Sequence, residues 1–211
     1  VPVRNPWKAY RETLEHSLRG DFNHASEEAR ADAASRLIES SSIAAAVLAC
    51  QPFPGVDTVL IGPVHRELLD GIAHIRGIRA DRKDVYRDLL SPLAIPLFLQ
   101  HAAMFGTKLV PFVDVLAVPI AYALTHSLGR LADEHFRCGR SMSPQELRAR
   151  FGATYKTERA LAFREKRDEL KALLRDQKVR RQIDKIKDAG RRGAMSREEV
   201  ARRIDEILAR S

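Results

Sequence analysis

Only two cysteines, Cys50 and Cys138, occur in 211 residues. They lie far apart, with no CxxC pair and no evenly spaced framework, so a disulfide-built fold is excluded and a reduced, cytosol-facing setting is expected. Aromatic residues make up 6% of the chain, which leaves core packing to Ala, Leu, Ile and Val. The N-terminal VPVRNPWKAY holds no apolar signal core, so no secretory leader is expected. Sustained alternation with β-branched residues and hairpin turns is missing, so no strand is needed and the predicted class is all-α. A phosphate-binding loop is missing too. Gly106-Thr107-Lys108 lacks the first glycine of GxxxxGK[ST] and the strand before it, and there is no dinucleotide fingerprint, which argues against an NTPase within this chain.

What is present is a broken apolar repeat. Pro54-Gly55-Val56-Asp57 opens a stretch reading TVLIGPV, and Pro111-Phe112-Val113-Asp114 opens another reading VLAVPI, with second prolines at Pro63 and Pro119. The pattern predicts one supersecondary unit used twice: a helix that stops before Pro54 or Pro111, a tight loop, then an Asp N-cap for the next helix. Pro54, Gly55, Asp57, Pro111 and Asp114 are the predicted turn and cap residues. Residues 40–64 contain one charged residue, and residues 89–129 contain only Lys108 and Asp114. A spanning helix needs about 20 apolar residues. Each arm is shorter than that before a proline-centred break carrying an Asp. The expected arrangement is therefore buried core, with a re-entrant or peripherally inserted hairpin as the alternative.

Helix signals divide the rest. Asn5-Pro6 starts a first helix, with Trp7, Tyr10, Leu14 and Leu18 on one face and Gly20 at its end. A second runs from about Ser26 to Ala49, a third from Asp57 to Arg76 with Gly77 closing it, and a fourth from near Asp81 with kinks at Pro92 and Pro96. A fifth runs from Asp114 to about Phe136. Ser143-Pro144-Gln145-Glu146 is a capping box that starts a long charged helix reaching Gly190, and Ser196-Arg197-Glu198-Glu199 starts a last short one. The expected organisation is an N-terminal helix (1–25), an apolar two-hairpin helical domain (26–139) and a basic helical arm (140–211).

Charge follows that division. Through residue 139 there are 15 Lys+Arg against 16 Asp+Glu, while the remaining 72 residues carry 21 against 12. A basic arm of this kind suits nucleic acid, anionic lipid or an acidic protein. Acids alternate with bases throughout RDQKVRRQIDKIKDAGRR and no aromatic set is interleaved, so a protein-interaction helix is favoured over a nucleic-acid reader. Arg180, Arg181, Lys185, Lys187, Arg191 and Arg192 are the predicted partner-binding residues. Leu170, Leu173, Leu174, Val179, Ile183 and Ile186 supply an irregular apolar stripe beside them.

Other chemistry is thin. Asp57 and Asp114 are the only acids in the apolar blocks and read first as caps, with acid/base or cation work as the alternative. His65 and His74 stand nine apart, without the i, i+4 pair of a zinc helix, and are read with Glu67 and Asp70 as an exposed or partly buried helix face. Asp133-Glu134-His135 reads as a solvated helix end. Cys138, beside Arg137 and Arg140 but with no paired base evident, is read as a plain thiol. No catalytic residue, metal or cofactor is implied.

The phrase CQPFPGVDTVLIGPVHRELLDGIAHIRG resembles the helical family catalogued as domain of unknown function 697, in which a proline-proline-glycine-aspartate turn joins two apolar helices and an amphipathic helix then ends in a glycine after an Ile or Tyr. LVPFVDVLAVPIAYALTHSLG resembles that family's later apolar hairpin, and together these cover about residues 26–138. EcsC-like helical proteins carry a related turn, and His65 stands where a Gln is expected. The resemblance implies a role beside membranes and GTPases, with no catalytic residues to carry over. The tail IDKIKDAGRRGAMSREEVARRIDEIL is similar to the short C-terminal hairpin called SHOCT, which implies oligomerisation or docking. The functional expectation is a non-enzymatic, membrane-associated accessory or adaptor, cytoplasmic and peripheral on the inner membrane. It would dock a protein partner, a GTPase among the candidates, or self-associate through the arm. The alternatives are a soluble scaffold subunit of a larger assembly and a ligand-binding or enzymatic bundle using Asp57 and Asp114. An anionic membrane surface is a further partner, and no small-molecule substrate is evident.

Overall fold

Proline fits the first position of a helix because its missing N–H has no intrahelical partner there, and α1 (Pro6–Arg19) starts on Pro6. A computed structural model describes residues 6–49, 56–78, 81, 83–94 and 114–166, with isolated residues between 185 and 206; the side chains of residues 50–60, 95–116 and 165–166 lie outside that set. Along α1 the buried residues are Trp7, Tyr10, Leu14 and Ser17, a stripe spaced three and four apart. Leu18, expected on this face, is rotated out of it and 37% exposed. Ser17 takes the place and returns its hydroxyl to the Thr13 carbonyl at 2.8 Å.

The second helix, α2 (Glu27–Ala49), is capped by Ser26, whose Oγ accepts from the Ala29 N–H at 3.2 Å. Two acids in its first turn, Glu27 and Glu28, suit the positive end of the helix dipole. The third, α3 (Val56–Ile75), closes on Gly77 at φ +69, with the Gly77 N–H donating to the His74 carbonyl and the Ile78 N–H to the Ala73 carbonyl. A left-handed glycine costs little here because it has no Cβ. After Asp81, α4 occupies residues 83–94. Then come α5 (Asp114–Arg137) and α6 (Pro144–Leu161). Pro63 and Pro119 lie inside α3 and α5, and each removes one backbone donor without ending its helix. The kink expected at Pro96 lies outside the described residues, as does most of the arm beyond Lys166.

Of the long helix expected from Ser143 to Gly190, residues Pro144–Leu161 are α-helical, and residues 167–184 lie outside the described residues. A π-helical turn, Ala162–Lys166, follows. The Ala162 N–H is shared between the Arg159 and Glu158 carbonyls where the two meet. No strand occurs among the described residues, and the fold is an all-α bundle.

Packing centres on α2, which lies against both α3 and α5; α1 covers α2 and α3, and α6 covers α5. Two neighbouring residues of α2 each fit over a glycine. A Cβ on Gly71 of α3 would come within 2.5 Å of Leu37 Cδ2, and one on Gly129 of α5 within 2.7 Å of Ile38 Cγ1. Those glycines are what let the helices approach so closely. The small-residue end of α2, with Ala44, Ala45, Ala46, Leu48 and Ala49 all but inaccessible, and the stretch of α5 from Ala117 to Leu124 form the apolar centre of the bundle. Among the described residues no helix is long and apolar enough to cross a membrane.

Candidate docking surface at the root of the basic arm

Polar cross-links surround this core and decide which groups remain outside. Three tyrosines each donate to an acid on another helix: Tyr10 to Glu67 at 2.5 Å, Tyr122 to Glu39 at 2.5 Å and Tyr86 to Asp70 at 2.9 Å. His65 is not a surface residue. It is 7% exposed and its Nε2 is hydrogen-bonded to Thr125 Oγ1 at 2.9 Å, across α3 and α5. His74 Nδ1 donates to the Ser17 carbonyl at 2.8 Å. Arg76 is buried to 3% of its side-chain surface and grips Asp133 with two nitrogens, at 2.6 and 2.9 Å, and Glu27 at 2.7 Å. Burial pulls its guanidinium down, but Asp133 and Glu27 outweigh this and hold it above its ordinary value.

The end of α5, expected to be solvated, is instead built in. Asp133 holds Arg76, and His135 is 2% exposed with neither ring nitrogen bonded among the described residues. Burial pushes its pKa below the ordinary histidine range, helped by Arg140 and opposed by Asp88. The chain then reverses through Gly139 at φ 65 and Arg140 at φ 64. For arginine the left-handed region costs roughly 1 kcal/mol. Arg140 is held there from outside, its Nε donating to Asp88 of α4 at 3.0 Å and its Nη2 to the same oxygen. This turn sets the direction in which α6 leaves.

At the start of α6 the expected capping box is complete. Ser143 Oγ accepts from the Glu146 N–H at 3.3 Å, and Glu146 accepts from the Ser143 N–H at 2.7 Å. The second bond holds the Glu146 carboxyl below its ordinary range. Leu147, Phe151 and Tyr155 face inward, with the two rings stacked at 6.1 Å. Burial pushes the Tyr155 phenol up, while Arg159 opposes this. Two polar contacts fasten α6 to α5. His126 Nδ1 lies 3.2 Å from Glu158, and Arg150 pairs with Glu134. His126 also stacks on Tyr122 and lies 3.9 Å from Glu39, so Glu39, Tyr122, His126 and Glu158 join α2, α5 and α6.

Both acids of α6 are thereby used up in the cap and the inner seam. The outer side is cationic. Arg148, Lys156, Arg159 and Arg164 are all exposed, and among the described residues none of them forms an ion pair with an acid. Arg159 lies over the Phe163 ring at 5.9 Å. Tyr155, Lys156, Arg159, Ala160 and Phe163 line a shallow groove of about 240 Å³.

No family model matches this chain, and it is similar to no curated protein and no solved structure.

Of the residues singled out from sequence, Asp57 is the second residue of α3 and Asp114 the first of α5. Their side chains, and Pro54, Gly55 and Pro111, lie outside the described residues. Lys185 is helical and exposed, and Arg192 is exposed in a turn; Arg180, Arg181, Lys187 and Arg191 also lie outside. Cys138 is exposed and free. Among the described residues no three His, Cys, Asp or Glu side chains are grouped to hold a metal ion. Sequence reasoning missed the Arg148–Lys156–Arg159 stripe. Its signal was there in the spacing, eight and eleven residues along one helix, but the denser run at 180–192 drew the assignment instead.

Proposed function

We propose that this chain is a non-enzymatic adaptor: a helical bundle that lies against a membrane and uses its basic arm to dock a protein partner. One observation carries the reading. The arm's root is fastened to the bundle by buried Leu147, Phe151 and Tyr155 and by the Glu158–His126 and Arg150–Glu134 pairs. A rigid root on an otherwise neutral body suits a protein that presents charge to something else. The sequence supports this with 21 basic against 12 acidic residues after residue 139, and none of that excess in the bundle. A GTPase is the partner class that the resemblance to domain of unknown function 697 implies.

The test compares the full chain with a variant carrying R180E, R181E, R191E and R192E. Affinity capture from cells identifies the partner, light scattering detects a second copy, and fractionation with salt and detergent washes reports the membrane. The expected result is a defined partner retained by the parent and lost by the variant, with the parent sedimenting with membranes and released by salt or detergent. Loss of self-association in the variant, with no other partner captured, would replace the partner by a second copy. Equal capture by both proteins, or a parent that never sediments, would refute the arm's role and the membrane role respectively.

A further inference from the structure

We propose that the cationic flank of α6, with Phe163 at its end, is a second docking surface, and that it lies on anionic lipid headgroups. The inference rests on the membrane half of the reading above but assigns the contact to residues in a different part of the chain. Arg148, Lys156 and Arg159 follow one another along a single flank, with Gly152 between the first two. A Cβ added at Gly152 would meet nothing within 4 Å, so the flank is open there. At 1.5 Å per residue the cations extend over about 16 Å. That is longer than any single phosphate or carboxylate and matches an extended charged plane.

Three further observations favour lipid as the occupant. The two acids of α6 are turned away from this flank, Glu158 toward His126 and Glu146 into the cap. An apolar group stands at the same end as the cations: Phe163 is partly buried beneath Arg159. Basic residues beside an aromatic ring are the chemistry of a helix lying at the headgroup layer. The groove between Lys156, Arg159 and Phe163 gives a headgroup phosphate two cations and an apolar wall.

The experiment is co-sedimentation of the full chain with phosphatidylcholine vesicles and with vesicles containing about one third phosphatidylserine. Each basic residue near such a surface contributes about 1 kcal/mol, so K156Q/R159Q is expected to bind the mixed vesicles roughly 30-fold more weakly. A second variant, R180Q/R181Q, reports the arm. Both Lys156 and Arg159 are exposed, so an unchanged melting curve checks that the variant is folded. Binding to the mixed vesicles alone, weakened by K156Q/R159Q and by added salt, supports the proposal. Binding by K156Q/R159Q within about twofold of the parent overturns it; if R180Q/R181Q then loses binding, the membrane reading survives on the arm. A parent that binds neither vesicle overturns this proposal and the membrane reading together, leaving partner docking to the capture assay. Equal binding to both vesicles also overturns it, because charge is then not what holds the surface.

Discussion

Replacing His135 by leucine is expected to stabilise the protein, although the residue lies in its interior. The side chain is 2% exposed and neither ring nitrogen has a bonded partner among the described residues. A buried polar group left unsatisfied costs about 1–3 kcal/mol. Leucine removes that cost at similar volume and is at home in a helix. It gives up the tilted ring contact with Phe136 at 5.8 Å, a loss of about 0.5–1.5 kcal/mol. The net gain is about 1 kcal/mol, which for a chain of this length raises Tm by about 2–4 °C. The gain also depends on pH, with a sign fixed by the histidine's lowered pKa, caused first by burial, with Asp88 opposing and Arg140 assisting. A group whose pKa is lower in the folded state takes up its proton first in the unfolded chain. Stability is therefore lost as pH falls below the ordinary histidine value of about 6.5, with a slope of at most about 1.4 kcal/mol per pH unit. His135→Leu lacks this loss. Urea titrations at about pH 7.5 and about pH 5.5 should show the variant ahead at both, and further ahead at the lower pH. A variant less stable than the parent by more than about 1 kcal/mol, or a gap that does not widen with acid, would refute the reasoning, because it would mean that the imidazole is satisfied.

Three further substitutions probe the scaffold. Asp133→Asn leaves the buried Arg76 guanidinium with Glu27 as its remaining acid partner in this trio and is expected to cost about 3 kcal/mol in chemical denaturation; a loss below about 0.5 kcal/mol would show the pair to be solvated. Gly129→Ala drives a methyl group against Ile38 and should cost about 1–3 kcal/mol. Gly152→Ala, with open space around it, should stabilise by up to about 1 kcal/mol. The opposite order of these two melting temperatures would refute the close approach of α2 and α5.

Features that depend on a few adjacent residues were legible. Ser143 with Pro144 and Glu146 announced the capping box, and Gly77 announced the end of α3, because each signal is complete within one turn of chain. What escaped was contact between residues far apart in sequence. His65 meets Thr125 from 60 positions away, and Arg76 meets Asp133 from 57. No period links such residues, so His65 reads as part of an exposed or partly buried face and Asp133–His135 as a solvated helix end, whereas His65 and His135 are buried and Asp133 is tied to Arg76. The candidate surface on α6 was half legible. Its cations stood in plain view, but their exposure follows from where Glu146 and Glu158 bond, and only the three-dimensional arrangement gives that.

Leu37 and Ile38 are successive residues, so on α2 they point about 100° apart, and each is keyed to a different helix. A slip of α2 by a single position would pull both keys from their slots at once. The two proline-bounded helices, α3 and α5, are thus held in lockstep by one short segment of a third. Loosening either should release the other, and the bundle is expected to come apart as one body.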